Sequence, residues 1–180
     1  MRLQEVADNK IEDDRIKTLY EEAFPEDERA PYWILKRRVK GGRAEHWNFY
    51  EEDTWVGWIY LVRHKDLAYI FFFAIDAKLR CKGYGTKALK ALIEKYKDYR
   101  IFLALEDWTE ESSNHEQRIK RYQFYKNCGL EQLPHKLREV NNTFAIMGIG
   151  GAVEPHEYKE MIDKYMGFPF KYFFDMRMVD

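Results

Sequence analysis

Cysteine is scarce in this chain: there are two, Cys81 and Cys128, and neither belongs to a CxxC pair. That excludes a disulfide framework and fits a reducing compartment. The five histidines are scattered, with no His-x-His or HExxH spacing, so no metal site is expected. An excess of charge of either sign is lacking too. The 30 Lys and Arg against 31 Asp and Glu leave a net charge of −1, which makes no case for nucleic acid or an anionic membrane as partner. Long hydrophobic runs are missing: the apolar stretch Leu67 to Ile75 is far too short to cross a bilayer. The segment Met1 to Lys10 lacks the apolar core of a signal peptide. The expected location is therefore the cytoplasm, and the sequon Asn141-Asn142-Thr143 reads as coincidence.

What is plentiful is aromatic side chain, 17% of 180 residues, with 13 Tyr and 12 Phe. Such a chain folds, and its length is enough to bury a sizeable core. Asp13 or Asp14 is placed to cap a helix carrying Ile16, Leu19, Tyr20 and Ala23. Pro31 opens a second helix through Trp33, Ile34 and Arg37, closed by Gly41-Gly42. Ala44 to Tyr50, Trp55 to Arg63 and Leu67 to Ile75 read as an antiparallel meander. A helix from Tyr84 to Lys97 joins this to a short strand, Ile101 to Leu105, which the crossover allows to be parallel. A helix to about Asn127 follows, then the strand pair Leu130 to Val140 and Thr143 to Ile149 turning at Asn141-Asn142. Pro155 to Met166 is a last helix, and Phe168 to Phe174 an aromatic tail. The order is ααβββαβαββ, an α/β fold with a mixed sheet. Residues 1–150 form the expected domain, with 151–180 an extension. The tail is too apolar to stand in water and is expected to pack on the domain or on a second copy, as in a homodimer.

The most informative stretch is Arg80-Cys81-Lys82-Gly83-Tyr84-Gly85, between an apolar strand and a helix. Glycine lets the backbone bend tightly and approach a ligand. The helix N-terminus offers unpaired N–H groups to a phosphate. Arg80, Lys82 and Lys87 add positive charge. Gly83-Tyr84-Gly85-Thr86-Lys87-Ala88 formally matches GxGxxA, with Glu106 about where a ribose-binding acid would stand. But the dinucleotide fingerprint needs its first glycine directly after the strand, and the charged segment Asp76 to Lys82 intervenes. The P-loop pattern is absent.

The pattern that fits is [QR]-x-x-G-x-[GA], and a second motif accompanies it: Gln123-Phe124-Tyr125-Lys126-Asn127-Cys128-Gly129-Leu130. Together, in this order, they resemble the acetyl-CoA site and the Phe-Tyr helix of the GCN5-related N-acetyltransferases, over most of the chain to about Gly150. The resemblance implies a splayed, GNAT-like sheet and direct acetyl transfer from acetyl-CoA to an amine of a small molecule or peptide. It also leaves room for a non-catalytic acyl-CoA-binding module or a transferase of another acyl group.

By that resemblance, Arg80, Cys81, Lys82, Gly83, Tyr84, Gly85 and Thr86 hold the pyrophosphate, and backbone groups of Phe73, Ala74 and Ile75 pair with the amide arm. A backbone N–H there is also expected to stabilise the oxyanion. Tyr125 is the implied general acid toward the departing thiolate; a phenol pKa of about 10 lies above about 8.5 for a thiol. An alkylamine with a pKa of about 10.4 must shed a proton, and Glu106 is the first choice of base, with Glu28 and Asp107 as alternatives. Where the family often has Asn, seven residues before Tyr125, this chain has Arg118, and Asn114 is expected to substitute from the loop as a cofactor-binding residue. The acidic run Glu26-Asp27-Glu28 would suit a cationic amine.

Overall fold

The computed structural model describes residues 1–26, 29–139, 142–168 and 176–179. Its strands follow the hydrogen-bonded order β1-β2-β3-β4-β5-β7-β6-β8. In sequence these are β1 (Arg2–Glu5), α1 (Lys10–Ala23), α2 (Tyr32–Lys40), β2 (Glu45–Glu51), β3 (Thr54–His64), β4 (Leu67–Ile75), α3 (Tyr84–Lys95), β5 (Arg100–Glu106), α4 (His115–Asn127), β6 (Glu131–Glu139), β7 (Asn142–Ile149), α5 (Pro155–Met166) and β8 (Met176–Val179). The β4–β5 ladder, Leu67↔Arg100 to Ile70↔Leu103, is parallel, as the helical crossover requires. The β1–β2, β2–β3, β5–β7, β6–β7 and β6–β8 ladders are antiparallel. The ααβββαβαββ order is present, with a strand added at each end.

Both additions were hidden in sequence for the same reason. β1 shows no apolar alternation; its ladder to β2, Arg2↔Tyr50 to Glu5↔Trp47, and the Met1 ammonium 2.8 Å from Glu51 hold it. β8 pairs with β6 over Lys136 to Glu139 and buries only Met178. Helix α1 starts earlier than expected: Asn9, not Asp13 or Asp14, accepts the Glu12 N–H at 3.0 Å. Glu12 in turn accepts from Ala7 N at 2.8 Å, and Asp13 is free to pair with Lys36. The β6–β7 register shifts between Gln132 and Lys136, where Pro134 has no N–H to give. Asn141 of the expected turn and 169–175 of the aromatic tail lie outside the described residues; Phe168 is exposed.

Contacts group the chain into two compact units. The first, Met1–Val62 with Phe71–Lys95, has its core between α1, α2, α3 and the strands: Ile16, Leu19, Tyr20, Leu35, Phe49, Trp58, Ile59, Leu89 and Leu92 are all buried. The second, Arg63–Ile70 with Tyr96–Asp180, centres on Tyr69 stacked on Phe102 at 4.8 Å, with Tyr158 of α5 set edge-on. Arg100 fastens α5 within this unit, with Asp66 on one side and Glu157 on the other, and it also donates to Ala152 O at 2.7 Å.

Candidate functional site

The basic turn is built almost wholly from backbone. Asp76 N–H donates to Val56 O at 2.9 Å, ending β4, and the Asp76 carboxylate accepts Lys78 N–H to cap a 3-10 turn over Ala77–Leu79. The chain then needs two left-handed residues, Cys81 at φ 61° and Gly83 at φ 80°, to enter α3. An added Cβ on Gly83 would meet nothing within 4 Å, so glycine is required there by the backbone and the space above it is open. The first N–H groups of α3 have no acceptor inside the helix, and they carry its positive end.

Arg80 Nε donates back to Ile75 O at 3.0 Å and Lys82 Nζ to Lys78 O at 3.1 Å, which sets both cations at the turn while leaving them exposed. Lys87 is a correction: it pairs with Glu51, itself bound to the Met1 ammonium, and so ties α3 to β2. Tyr84, Gly85 and Thr86 form the half-buried first turn of α3. Just before the turn, Gly57 lets β3 approach β4 closely, since a Cβ would stand 2.3 Å from Ala74 O. Phe73 packs its ring on Phe49. Phe73, Ala74 and Ile75 therefore lie in the same unit as the turn, with the carbonyl of Ala74 over Gly57 and that of Ile75 bonded to Arg80.

The second unit holds a different kind of site. Glu106, at the end of β5, accepts from Asn114 Nδ2 at 2.8 Å and faces Arg118 Nη2 at 3.2 Å on Oε1; Arg121 Nη2 lies 2.8 Å from Oε2. Asn114 Oδ1 accepts from Arg118 Nε and Ser112 Oγ, both at 2.8 Å. Arg118 thus joins Asn114 to Glu106, and the Asn114 amide is engaged by both. Asn114, Arg118, Arg121 and Tyr125 follow i, i+4, i+7, i+11, one face of α4. That spacing was the available signal for the two arginines, which the motif reading passed over.

Asp107, an alternative base, is committed elsewhere. Burial pushes its carboxyl up, but the Thr109 hydroxyl, Lys136 and the Thr109 N–H outweigh it and bring the pKa down to about 2. Glu28 lies outside the described residues.

Tyr125 sits where α4 ends. Leu130 N–H returns to Tyr125 O at 3.2 Å and Gly129 N–H to Lys126 O at 3.0 Å, with Gly129 at φ 96°. This 6→1 and 5→2 closure explains the Tyr-x-x-x-Gly-Leu spacing: glycine takes the left-handed position and Leu130 is buried after it. Burial pushes the phenol up to about 12, against the pull of the Arg121 guanidinium. Among the described residues its hydroxyl makes no hydrogen bond. Of the two cysteines, Cys81 is exposed at the basic turn and Cys128 is buried, and they form no disulfide.

Comparison with known proteins bears on the family and the fold. Residues 13–130 match the acetyltransferase (GNAT) family. Among curated proteins nothing matches. A solved structure described as an acetyltransferase of the GNAT family from Bacteroides thetaiotaomicron is similar over 95% of this chain and 99% of its own, with TM-score 0.76 and 21% identity. An aminoglycoside 6'-N-acetyltransferase complexed with coenzyme A is similar over 82% of this chain and 96% of its own, with TM-score 0.63 and 14% identity. A spermidine N-acetyltransferase from Vibrio cholerae is similar over 83% and 94%, with TM-score 0.63 and 11% identity. The match spans well over half of the residues, and the chain belongs to the acetyltransferase (GNAT) family, which makes it an acyl-transferring enzyme.

Proposed function

We propose that the protein moves an acetyl group from acetyl-CoA directly to the amine of a small molecule. The observation that carries this is the turn from Arg80 to Thr86, where Gly83 at φ 80° leaves open space beside two exposed cations and a helix N-terminus. That is a fit for a pyrophosphate, which needs several converging donors. Two structural relatives, the aminoglycoside 6'-N-acetyltransferase and an acetyltransferase from Bacillus subtilis, are complexes with coenzyme A. Acetyl-CoA supplies an activated thioester acetyl group when bound.

The chain's residues would do the rest. Backbone from Phe73 to Ile75 pairs with the amide arm. Glu106 has about four lone-pair positions, and Asn114, Arg118 and Arg121 use three of them. The fourth, on Oε2, accepts from a water that carries away the amine's proton. Tyr125, with a pKa of about 12, keeps its proton at neutral pH. Full transfer to a thiolate of pKa about 8.5 is uphill, so Tyr125 acts mainly as a hydrogen-bond donor to the sulfur as the C–S bond breaks. The ammonium first loses one proton to solvent through this water; the N–C bond then forms, the C–S bond breaks, and the second proton lost by the nitrogen ends on the departing thiolate.

We read 1–150 as the catalytic domain with 151–180 as its extension, and the lack of a disulfide between Cys81 and Cys128 as a sign of a cytoplasmic setting. The test is thermal: acetyl-CoA raises the melting temperature by mass action, and NADH and ATP do not. An amine panel with acetyl-CoA then releases free thiol. Equal shifts from NADH would return the dinucleotide alternative.

A further inference from the structure

The two arginines on Glu106 are used differently. Arg118 has its whole fork engaged: Nε donates to Asn114 Oδ1 at 2.8 Å, Nη1 donates to Asp107 O at 3.2 Å, and Nη2 lies 3.2 Å from Glu106 Oε1. Its side chain is 17% exposed. Arg121 meets Glu106 through Nη2 alone, 2.8 Å from Oε2, and its side chain is 46% exposed. Among the described residues its Nε and Nη1 have no partner. One carboxylate thus faces two guanidiniums, and a positive charge is left over. Glu110, 64% exposed and 4.0 Å from Arg118, does little to cancel it. The nearby charges of Asp107 and Lys136 pair with each other.

The surplus charge lies beside Tyr125. Arg121 and Tyr125 are four residues apart on α4, so their side chains are neighbours on one face. The Tyr125 hydroxyl is uncommitted among the described residues. It belongs to the last turn of α4, where the negative end of the helix dipole opposes any new negative charge. Lys126, the other cation of that turn, lies over the Tyr122 ring instead, at 5.7 Å. The ionisable groups that bear on the Tyr125 hydroxyl are the Arg121 guanidinium, which favours its charged form, and the buried Cys128 thiol. We propose that Arg121 is a positioning residue for the transfer step: held by Glu106, it turns its unmatched positive charge on Tyr125 and makes that hydroxyl a stronger donor to the departing sulfur. A cation beside a phenol stabilises negative charge developing on its oxygen and so strengthens the bond that its O–H donates. Glu106 then has a second task, which is to keep that charge in place. This rests on the acetyl-transfer reading.

The test needs coenzyme A and no acceptor. A sulfur that receives a strong hydrogen bond gives up its own proton more easily. The ultraviolet absorbance of the thiolate, read against the complex with desulfo-coenzyme A, follows the thiol of bound coenzyme A across pH. Its midpoint should fall below the usual value of about 8.5. Arg121→Gln should raise the midpoint by about 1 pH unit, the low end for one nearby charge. Calorimetric affinity for acetyl-CoA, which has no thiol to ionise, should stay the same. Arg121→Lys should restore part of the shift. Arg118→Gln loosens Glu106 but keeps the charge on Arg121, and should move the midpoint less. In a Tyr125→Phe background Arg121→Gln should add little, since the hydroxyl that relays the charge is gone. Three results each overturn the inference while acetyl-CoA binding leaves the acetyl-transfer reading standing: a midpoint that Arg121→Gln does not move, an equal response to Arg118→Gln, or a full Arg121→Gln response without the Tyr125 hydroxyl. Failure of coenzyme A and acetyl-CoA to bind the parent overturns both.

Discussion

The two halves of the candidate machinery are made differently. In the first unit the turn Arg80–Thr86 depends on backbone: a left-handed glycine, a helix N-terminus, and side chains that mostly fold back on main-chain carbonyls. In the second unit the Glu106 site depends on side chains: Asn114, Arg118 and Arg121 on one helix face grip a single carboxylate. A backbone site has few permitted residues, so it leaves a short, readable motif. A side-chain network can be assembled from many combinations, so its members are found only when the helix is in place.

Changing Gly83 should separate the halves most sharply. Gly83→Val forces a β-branched residue to φ 80°, a strain of about 1–3 kcal/mol, and draws the backbone N–H groups away from the pyrophosphate. Acetyl-CoA affinity should fall by roughly 10³-fold, since lost bonds to a charged group add about 1.5–3 kcal/mol each. Calorimetric titration reads this, while circular dichroism should show the fold intact. Parental affinity would mean that the turn is not the pyrophosphate site.

Acid should separate the units next. Burial, only partly offset by the Asp13 and Glu12 carboxylates, holds His46 of the first unit at about 4, below its usual 6.5. Its folded form favours the neutral ring, so that stability is complete above pH 6.5 and is lost as pH falls from 6.5 toward 4. The loss is about 3 kcal/mol, at about 1.4 kcal/mol for each pKa unit. In the second unit Asp107 and Glu157 are both held near 2, so their contribution is present above about 4.5 and fades only below it. Denaturant melts across pH should show an early loss that His46→Phe removes. An unchanged early limb in that variant would assign the acid sensitivity elsewhere.

Tyr125→Phe keeps the ring and removes the hydroxyl. Turnover should drop by roughly 10²-fold with acetyl-CoA affinity unchanged, the pattern of an interaction made in the transition state. Affinity lost in step with turnover would make Tyr125 a residue that positions the cofactor. The smallest effect concerns Glu106→Gln, which removes the charge shared by Arg118 and Arg121. Stability should fall by about 0.2–1 kcal/mol for each of the two ion pairs, and turnover should fall as well, with its pH profile altered. A stability loss with turnover and pH profile untouched would confine Glu106 to fastening α4.

Much of the frame was legible. The meander, the crossover helix and the Pro155–Met166 helix follow apolar periodicity, and the structure returns α5 with the same ends. Periodicity works where an element buries one face. It fails for β1 and β8, which are held by ladders to a neighbour, and for the Asn9 cap, where a side-chain bond decides the first residue of α1. At the site, the glycine turn and the α4 closure were legible because left-handed backbone favours glycine, as at Gly83 and Gly129. The diversion of Lys87 to Glu51 and of Asp107 to Lys136 was not, because each partner comes from a distant part of the chain.

By itself the sequence determined the order of the main elements, the place of the basic glycine turn and the helix that carries Tyr125. Those properties are set by residues close to one another along the chain, through apolar spacing and backbone restriction. Only the tertiary structure decided which charges are spent on structure and which remain for chemistry. It committed Asp107 and Lys87 to ion pairs, set three donors on Glu106, and left the indole N–H of Trp58 and the Nε–H of Arg29 without acceptors among the described residues. The physical reason is that pairing and desolvation depend on distances between residues far apart in sequence, and those distances exist only once the strands have found their neighbours.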